Sequence, residues 1–366
     1  MRSQKDQVWY HVDVNSAYLS WTAAYRVCIL GEDLDLRDIP SVIGGSEAER
    51  HGIVLAKSGS AKRYGIRTGE TLAEARCKCP GLVIVPPDYS LYVGCSKALV
   101  ELLKKYFPHV HQYSIDEAFC RVEGTKGLWG THTAFAHQLK EEIRRELGFT
   151  VNIGVSDCKL LAKMASEFQK PDQVHTLFTR EIERKMWPLP VSDLFWVGPA
   201  TVRKLGALGI RTIGELAVMD LELLKRHLKK QGEFIWNYAN GRDVSPFLRE
   251  LPRNKGYGNS MTTPFDVTDR ETAWQVILSL TETVCARLRA DGMEAACVGI
   301  SITDREFRHG SVQTTLISAT DTTLEIYEAA RSLFDRLWNY SPIRRMGVYT
   351  SKVSPKGHYQ YQLFDR

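Results

Sequence analysis

Two adjacent carboxylates, Asp116 and Glu117, interrupt the otherwise apolar, strand-like stretch Tyr113-Ser114-Ile115-Asp116-Glu117-Ala118-Phe119. In a flat strand neighbouring side chains point to opposite faces, so both acids can serve one ligand only where the backbone turns. The flanks 109–113 and 118–122 both read as strands, which places the pair at or beside the bend of a hairpin. Crowded carboxylates repel unless cations neutralise them, and oxygen-only ligation suits Mg²⁺.

A further acid comes from the start of the chain. Residues 8–14 read as a buried strand whose exit carries Asp13, followed by Asn15, Ser16, Ala17 and Tyr18. Asp13, an acid at the exit of a buried strand, is a ligand candidate, and equally Asp13, Asn15 and Ser16 are all capping types for the helix-like segment 17–27. The elements that follow favour the ligand reading for Asp13. After a polar section, 28–80, come an apolar strand at 81–86 and a helix over 89–106 with Leu99, Leu102 and Leu103 on one face. The acidic hairpin is next, then an amphipathic helix over 133–147, a strand over 149–156, and a helix over 159–169 stopped by Lys170-Pro171. This is the order of a ferredoxin-like βαββαβ sheet with an insertion after the first helix, within an α+β, multidomain fold. In that topology the first strand lies beside the hairpin, and Asp13 approaches Asp116 and Glu117.

With 366 residues the chain is too long for one ordinary core, so two or more domains are expected. Its 43% hydrophobic and 25% charged residues are those of a soluble globular protein, and its net charge of +5 is compatible with a polyanionic partner without requiring one. The N-terminus lacks a signal-like apolar region and no apolar run reaches the length of a membrane span, so a cytoplasmic protein with no membrane partner is expected. Eight cysteines are scattered, and Cys77-Lys78-Cys79 has no second pair to complete a zinc site. Reduced, buried or partly buried thiols are expected.

Lys57, Lys62, Arg63 and Arg67 cluster among small residues, where they suit phosphates or, more simply, a solvated helix face. The run 197–216 resembles a helix-hairpin-helix unit. Gly198 and Gly209 would let backbone approach a phosphate, with Arg203, Lys204 and Arg211 nearby. Residues 243–257 read as a basic linker, and 258–352 as a second βαββαβ order without a catalytic cluster. There Ser260, Thr262, Thr263, Arg305, Arg308 and Arg344 suit phosphate contacts that ignore base sequence. The tail 360–364 reads as a frayed end or as a segment for a partner's apolar pocket.

Three carboxylates on such a sheet, a basic insertion and two phosphate-binding modules fit two-metal phosphoryl or nucleotidyl transfer. Asp13 and Asp116 are candidates to bridge the ions and Glu117 to load the nucleophile side.

The motifs His11-Val12-Asp13-Val14-Asn15-Ser16-Ala17-Tyr18, Tyr113 to Phe119, and Asn152-Ile153-Gly154-Val155-Ser156 running on to Gln169-Lys170-Pro171 carry a resemblance. They resemble the palm signatures of Y-family translesion DNA polymerases, in the bacterial polymerase IV and UmuC-like group, and the match extends over nearly the whole chain. The resemblance implies a palm at 1–27 and 81–170, fingers at 28–80, a thumb at 171–242, a linker at 243–257, a little finger at 258–353 and a tail at 354–366. It implies an error-prone DNA-directed DNA polymerase, expected as a monomer, acting on primer-template DNA and dNTP with two Mg²⁺ ions. Asp13, Asp116 and Glu117 would hold the metals with the Val14 carbonyl, Tyr18 would be the steric gate against a ribose 2′-hydroxyl, and Lys170 would reach the triphosphate. Asn15, Ser16 and Ala17 would line the nucleotide pocket, and Gln362 (or Gln360), Leu363 and Phe364 would dock a sliding clamp.

Some positions depart from the family's pattern. Asn15-Ser16-Ala17 replaces an aromatic-rich stretch, Lys62 stands where an arginine is usual, and Gly59 where a tyrosine is. A triphosphate contact is thereby missing or moved to Lys57 or Ser58, and a roomy site would admit damaged template bases and reject mismatches less well. A nucleotide cyclase is disfavoured by the helix-hairpin-helix and little finger, and a catalytically weak DNA-binding scaffold by the intact acids.

Overall fold

The computed structural model describes residues 7–123, 130–243 and 254–357. The chain divides into two compact units, residues 1–45 with 53–249, and residues 46–52 with 250–366. In the first, β1 (Gln7–Val14) runs into α1 (Ala17–Cys28). A small three-stranded sheet follows, of β2 (Ser41–Gly44), β3 (Val54–Lys57) and β4 (Val83–Val85), with α2 (Gly59–Arg63) and α3 (Leu72–Lys78) between its last two strands. Next come α4 (Tyr89–Tyr106), β5 (His109–Gln112), β6 (Glu117–Glu123), α5 (His132–Leu147), β7 (Val151–Ser156), α6 (Lys159–Ser166) and β8 (Val174–Thr176). The large sheet has the order β5-β6-β1-β7-β8. Without β8 this is the ferredoxin-like arrangement, and β1 lies between β6 and β7.

The period-2 alternation of β1 divides its work. Tyr10, Val12 and Val14 face a core with Trp21 of α1, Leu99 and Leu103 of α4, and Phe135 and Ile143 of α5. Each such fully buried side chain contributes about 1.5–3 kcal/mol. Trp9, His11 and Asp13 point to the other face, where α6 packs. Gly154 makes that packing possible, because a Cβ there would lie 1.9 Å from the Ala162 carbonyl oxygen and 2.6 Å from the Ser166 nitrogen. Helix α1 has Ser16 as its cap in a left-handed conformation without a side-chain cap bond. Asp13 therefore lies within β1 and caps nothing.

The rest of this unit is helical. Helices α7 (Ile182–Lys185), α8 (Pro199–Ala207), α9 (Ile213–Val218), α10 (Leu221–Leu228) and α11 (Lys230–Ala239) close around Leu205, Ile210, Ile213, Leu224 and Ile235. The α8–α9 hairpin begins on Gly198 with Pro199 as the first helical residue, turns at Gly209 with φ +80°, and restarts at the Thr212 capping box with Glu215. Gly198, Arg203 and Gly209 are all exposed.

The second unit contains β9 (Gly256–Val267), α12 (Arg270–Ala290), β10 (Met293–Asp304), β11 (His309–Thr320), α13 (Thr323–Leu337) and β12 (Ile343–Pro355). Its antiparallel sheet has the order β11-β10-β12-β9. Val298, Ile300, Met346 and Val348 meet α12 and α13. The register places Ser260, Thr262, Gly299, Ser301, Thr303, Arg345 and Tyr349 on the opposite face. Thr263, expected among the phosphate contacts, is instead buried, its hydroxyl 2.6 Å from the Phe265 carbonyl and 3.2 Å from that of Arg344. Thr262 faces outward opposite Arg345, so the alternation of β9 turns the next residue, Thr263, inward. Arg305 is exposed, and Arg344 is half-buried over the Phe307 ring. Arg345, which sequence reading passed over, is exposed and donates to the Ser260 hydroxyl at 2.8 Å.

All eight cysteines are free; Cys79, Cys120, Cys285 and Cys297 are buried, whereas Cys28 and Cys77 are exposed rather than covered as expected. Among the described residues no helix is long and apolar enough to cross a membrane.

Candidate active site

Asp13 pairs directly with Glu117 on β6 and with Asn152 on β7, so all three side chains share the face under α6. The backbone turns just before Glu117. The Tyr113 and Ser114 nitrogens both donate to the Glu117 carbonyl, at 2.9 and 3.2 Å, and the Val14 nitrogen donates to the Asp116 carbonyl at 3.0 Å. Asp116 stands in this turn with Oδ1 accepting from Ser114 Oγ at 2.5 Å.

Helix α6 and the residues after it lay charges over these acids. Lys163, only 6% exposed, donates to Glu117 Oε1 at 2.7 Å. Lys170 spans Asp13 Oδ1 at 3.0 Å and Glu167 Oε1 at 2.9 Å. One ligand oxygen from each of Asp13, Glu117 and Glu167 falls within a 4.8 Å group. That oxygen-only set fits a hard divalent cation. The close cluster thus contains Glu167, which sequence reading missed. Asp116 lines the same cleft from the turn, outside that trio. The i, i+4 and i, i+3 spacing of Lys163, Glu167 and Lys170 was the available signal.

Behind Glu117, the buried His11 bonds Ser166 Oγ through Nδ1 at 2.7 Å and brings Nε2 to 3.8 Å from Glu117 Oε2. Burial lowers His11 to about 4, so the ring is neutral. Burial pushes Asp13 up to about 7, against the pull of Lys170. Burial also raises Glu117, but hydrogen bonds with His11, Asp13 and Lys163 outweigh it and hold that carboxyl below its ordinary range. Of the two acids, Asp13 is thus the one that takes up a proton more readily. A carboxyl raised on folding gives stability that is present below its unfolded value, near 4, and is lost as pH rises through about 7. His11, lowered on folding, has the opposite slope over part of that range, so the Asp13 effect is isolated by comparison. In chelator, Asp13→Asn should match the parent's stability near pH 4 and exceed it at pH 8 by on the order of a few kcal/mol, seen as a higher melting temperature. Mn²⁺ should raise the melting temperature of the parent far more than that of the variant. Parallel melting curves across this pH range would contradict the raised Asp13 carboxyl.

The acids form the floor of a cleft of about 630 Å³. Every residue expected around a nucleotide lines it, namely Asn15, Ser16, Ala17, Tyr18, Lys57, Ser58, Lys62 and Lys170, as does Val14. Their side chains differ in what they offer. The Ser58 hydroxyl is spent on the Ile39 carbonyl and the Ser41 and Ala61 nitrogens, and Asn15 bonds inward. Tyr18 stacks on Tyr92 of α4 with ring centres 4.4 Å apart and planes 6° from parallel. At Gly59 an added Cβ would meet nothing within 4 Å, so the cleft wall is open there. The segment with Gln362, Leu363 and Phe364 lies outside the described residues.

Residues 12–167 match the impB/mucB/samB family and residues 254–363 its C-terminal domain, so the matched segments contain Asp13, Asp116, Glu117 and the open sheet of the second unit. The chain belongs to the impB/mucB/samB family. Members similar to it include the DNA polymerase IV of Clostridium acetobutylicum, 45% identical over 98% of this chain and 90% of the relative. Others are the DNA polymerase IV of Acetivibrio thermocellus, 40% identical over 93% and 85%, and DNA polymerase IV 2 of Bacillus subtilis, 35% identical over 98% and 88%. Among solved structures, a Y-family DNA polymerase chimera of Dbh and Dpo4 superposes with a TM-score of 0.79, covering 95% of this chain and 99% of that one at 19% identity. This impB/mucB/samB member thus has the Y-family fold.

Proposed function

We propose that this chain is a template-directed DNA polymerase of the translesion type, adding dNMP to a primer 3′-hydroxyl. One observation carries the reading: Asp13 and Glu117 are paired across β1 and β6, with Asp116 at the turn, on the floor of a cleft walled by Tyr18 and Lys170. The DNA polymerase IV relatives support it. Asp13, Asp116, Glu117 and the Val14 carbonyl would hold two Mg²⁺ ions, with Glu167 near enough to join them. When bound, such ions activate the attacking oxygen and stabilise the leaving phosphates.

The chain's own groups do the rest. Lys170, with Lys57 and Lys62 across the cleft, meets the triphosphate. The Tyr18 ring lies beneath the sugar, where a 2′-hydroxyl would collide with it. Exposed Gly198, Arg203 and Gly209 in the helical hairpin and Ser260, Thr262 and Arg345 on the open sheet face follow primer-template backbone without reading bases. Arg305 and Arg344 extend that basic lining. The open wall at Gly59 suits a damaged template base, and the 360–364 segment suits a sliding clamp bound by a monomeric polymerase.

Primer extension tests this with dNTP or rNTP, Mg²⁺ or chelator, and an intact or abasic template. The parent should extend only with metal, favour dNTP, and pass the abasic site. Tyr18→Ala should lower sugar discrimination by about tenfold or more, the worth of a lost steric and packing contact. No metal-dependent extension would overturn the polymerase reading, and unchanged discrimination would overturn the gate.

A further inference from the structure

Asn15 and Asn152 are buried polar residues whose side-chain hydrogen bonds go not to the carboxylates and lysines of the site but to the segment that carries Glu167 and Lys170. Asn15 Nδ2 donates to Asn152 Oδ1 at 3.0 Å. Asn152 Nδ2 donates to the carbonyls of Ser166 and Gln169, at 3.0 and 2.6 Å, and its Oδ1 also accepts from the Gln173 nitrogen at 3.2 Å. Asn15 Oδ1 accepts from the Asp172 nitrogen at 2.9 Å and from Thr150 Oγ1 at 3.0 Å. Two side chains therefore satisfy four backbone groups between Ser166 and Gln173, a stretch that has left helix α6 and has few regular partners of its own.

The bonding also dictates the side-chain types. Only an NH₂ can face the two carbonyls, so Asn152 must present its oxygen to Asn15, and Asn15 must answer with its NH₂. An aspartate at either position keeps the acceptors but sets one oxygen against another. Asn152 stands opposite Asp13 in the strand register, so this pair ties the loop to the same strand exit that holds the acid.

We propose that the Asn15–Asn152 amide pair is a latch that holds the Glu167–Lys170 loop over the cleft and presents Lys170 to the substrate's triphosphate. Both are positioning residues, acting through Lys170. This rests on the reading of Lys170 as a triphosphate contact.

The test measures single-nucleotide insertion and, separately, equilibrium dNTP binding to a dideoxy-terminated primer-template complex with Ca²⁺, using the full chain. Lys170→Ala should raise the dNTP KM and dissociation constant about tenfold, as loss of one charge-assisted hydrogen bond does. Asn152→Ala and Asn15→Asp should each raise both by a similar factor, with kcat changed much less. Adding Asn152→Ala to Lys170→Ala should cost little more, because both act on one contact. Asn15→Asp, at the cleft rim, serves where Asn152→Ala does not fold, as judged by thermal melting. If Lys170→Ala weakens dNTP binding while the folded asparagine variants bind as the parent does, the latch is refuted and the Lys170 reading stands. If Lys170→Ala binds dNTP as tightly as the parent, both fall. Additive losses in the double variant would also refute the latch.

Discussion

Glu117→Ala should abolish metal-dependent primer extension, a loss of about a thousandfold or more, comparable to removing a transition-state charge stabiliser, and should also melt well below the parent. The first effect follows from its place beside Asp13 at the floor of the cleft. The second follows from Lys163, almost wholly buried, whose ammonium would lose its 2.7 Å partner. Breaking a buried pair from one side costs about 3–5 kcal/mol. Glu167, 3.7 Å away and more exposed, takes up part of that charge, so the lower figure is expected. Glu117→Gln keeps an oxygen for Lys163 and should recover much of the stability and none of the activity. Rates and melting curves on the two variants separate the metal-holding role from the structural one. Equal melting of Glu117→Ala and Glu117→Gln would mean that Lys163 does not depend on this carboxylate.

Gly154→Ala should also damage activity, though it adds only one methyl group, on a strand residue opposite His11. The new Cβ would overlap the Ala162 carbonyl and the Ser166 nitrogen, which are backbone and cannot rotate aside. Helix α6 must lift. Overpacking of this kind costs about 1–3 kcal/mol, and the lifted helix carries Lys163, Glu167 and the approach to Lys170 away from the acids. A tenfold or greater fall in extension, with a lower melting temperature, is the expected outcome, since small misplacements of positioning groups are costly. Wild-type melting would show that the helix accommodates the methyl and that its close approach is dispensable.

Much of this frame was legible in the chain. The alternating β1, the hairpin around Asp116-Glu117 and the helix from 89 to 106 follow from period-2 and period-3.6 patterns, and the βαββαβ order places Asp13 beside the hairpin. What was not legible depends on register and on hydrogen bonds between distant segments. Glu167 is one more residue of the helix expected over 159–169 until α6 is seated on Gly154. Asn152 reads as one more strand residue until Asp13 is set opposite it. Thr263 follows outward-facing Thr262 and so turns inward, and Arg345 stands opposite Thr262 on the open face, placements that become legible only once the pairing of β9 with β12 is known. The sequence pattern carries helix α6 on to 169, but the helix ends at Ser166, where the Asn152 amide captures the carbonyls of Ser166 and Gln169. Asn15 and Ser58, expected to face a nucleotide, have polar atoms committed to the protein, which the types of these residues alone do not reveal.

The parallel stack of Tyr18 on Tyr92 has a consequence for how sugars would be sorted. Tyr92 is fully buried, so the ring behind Tyr18 has no room to retreat. A nucleotide with an extra hydroxyl would meet a wall rather than a door, and be turned away on arrival. Its exclusion would then appear as poor occupancy of the cleft, not as a slow step once seated.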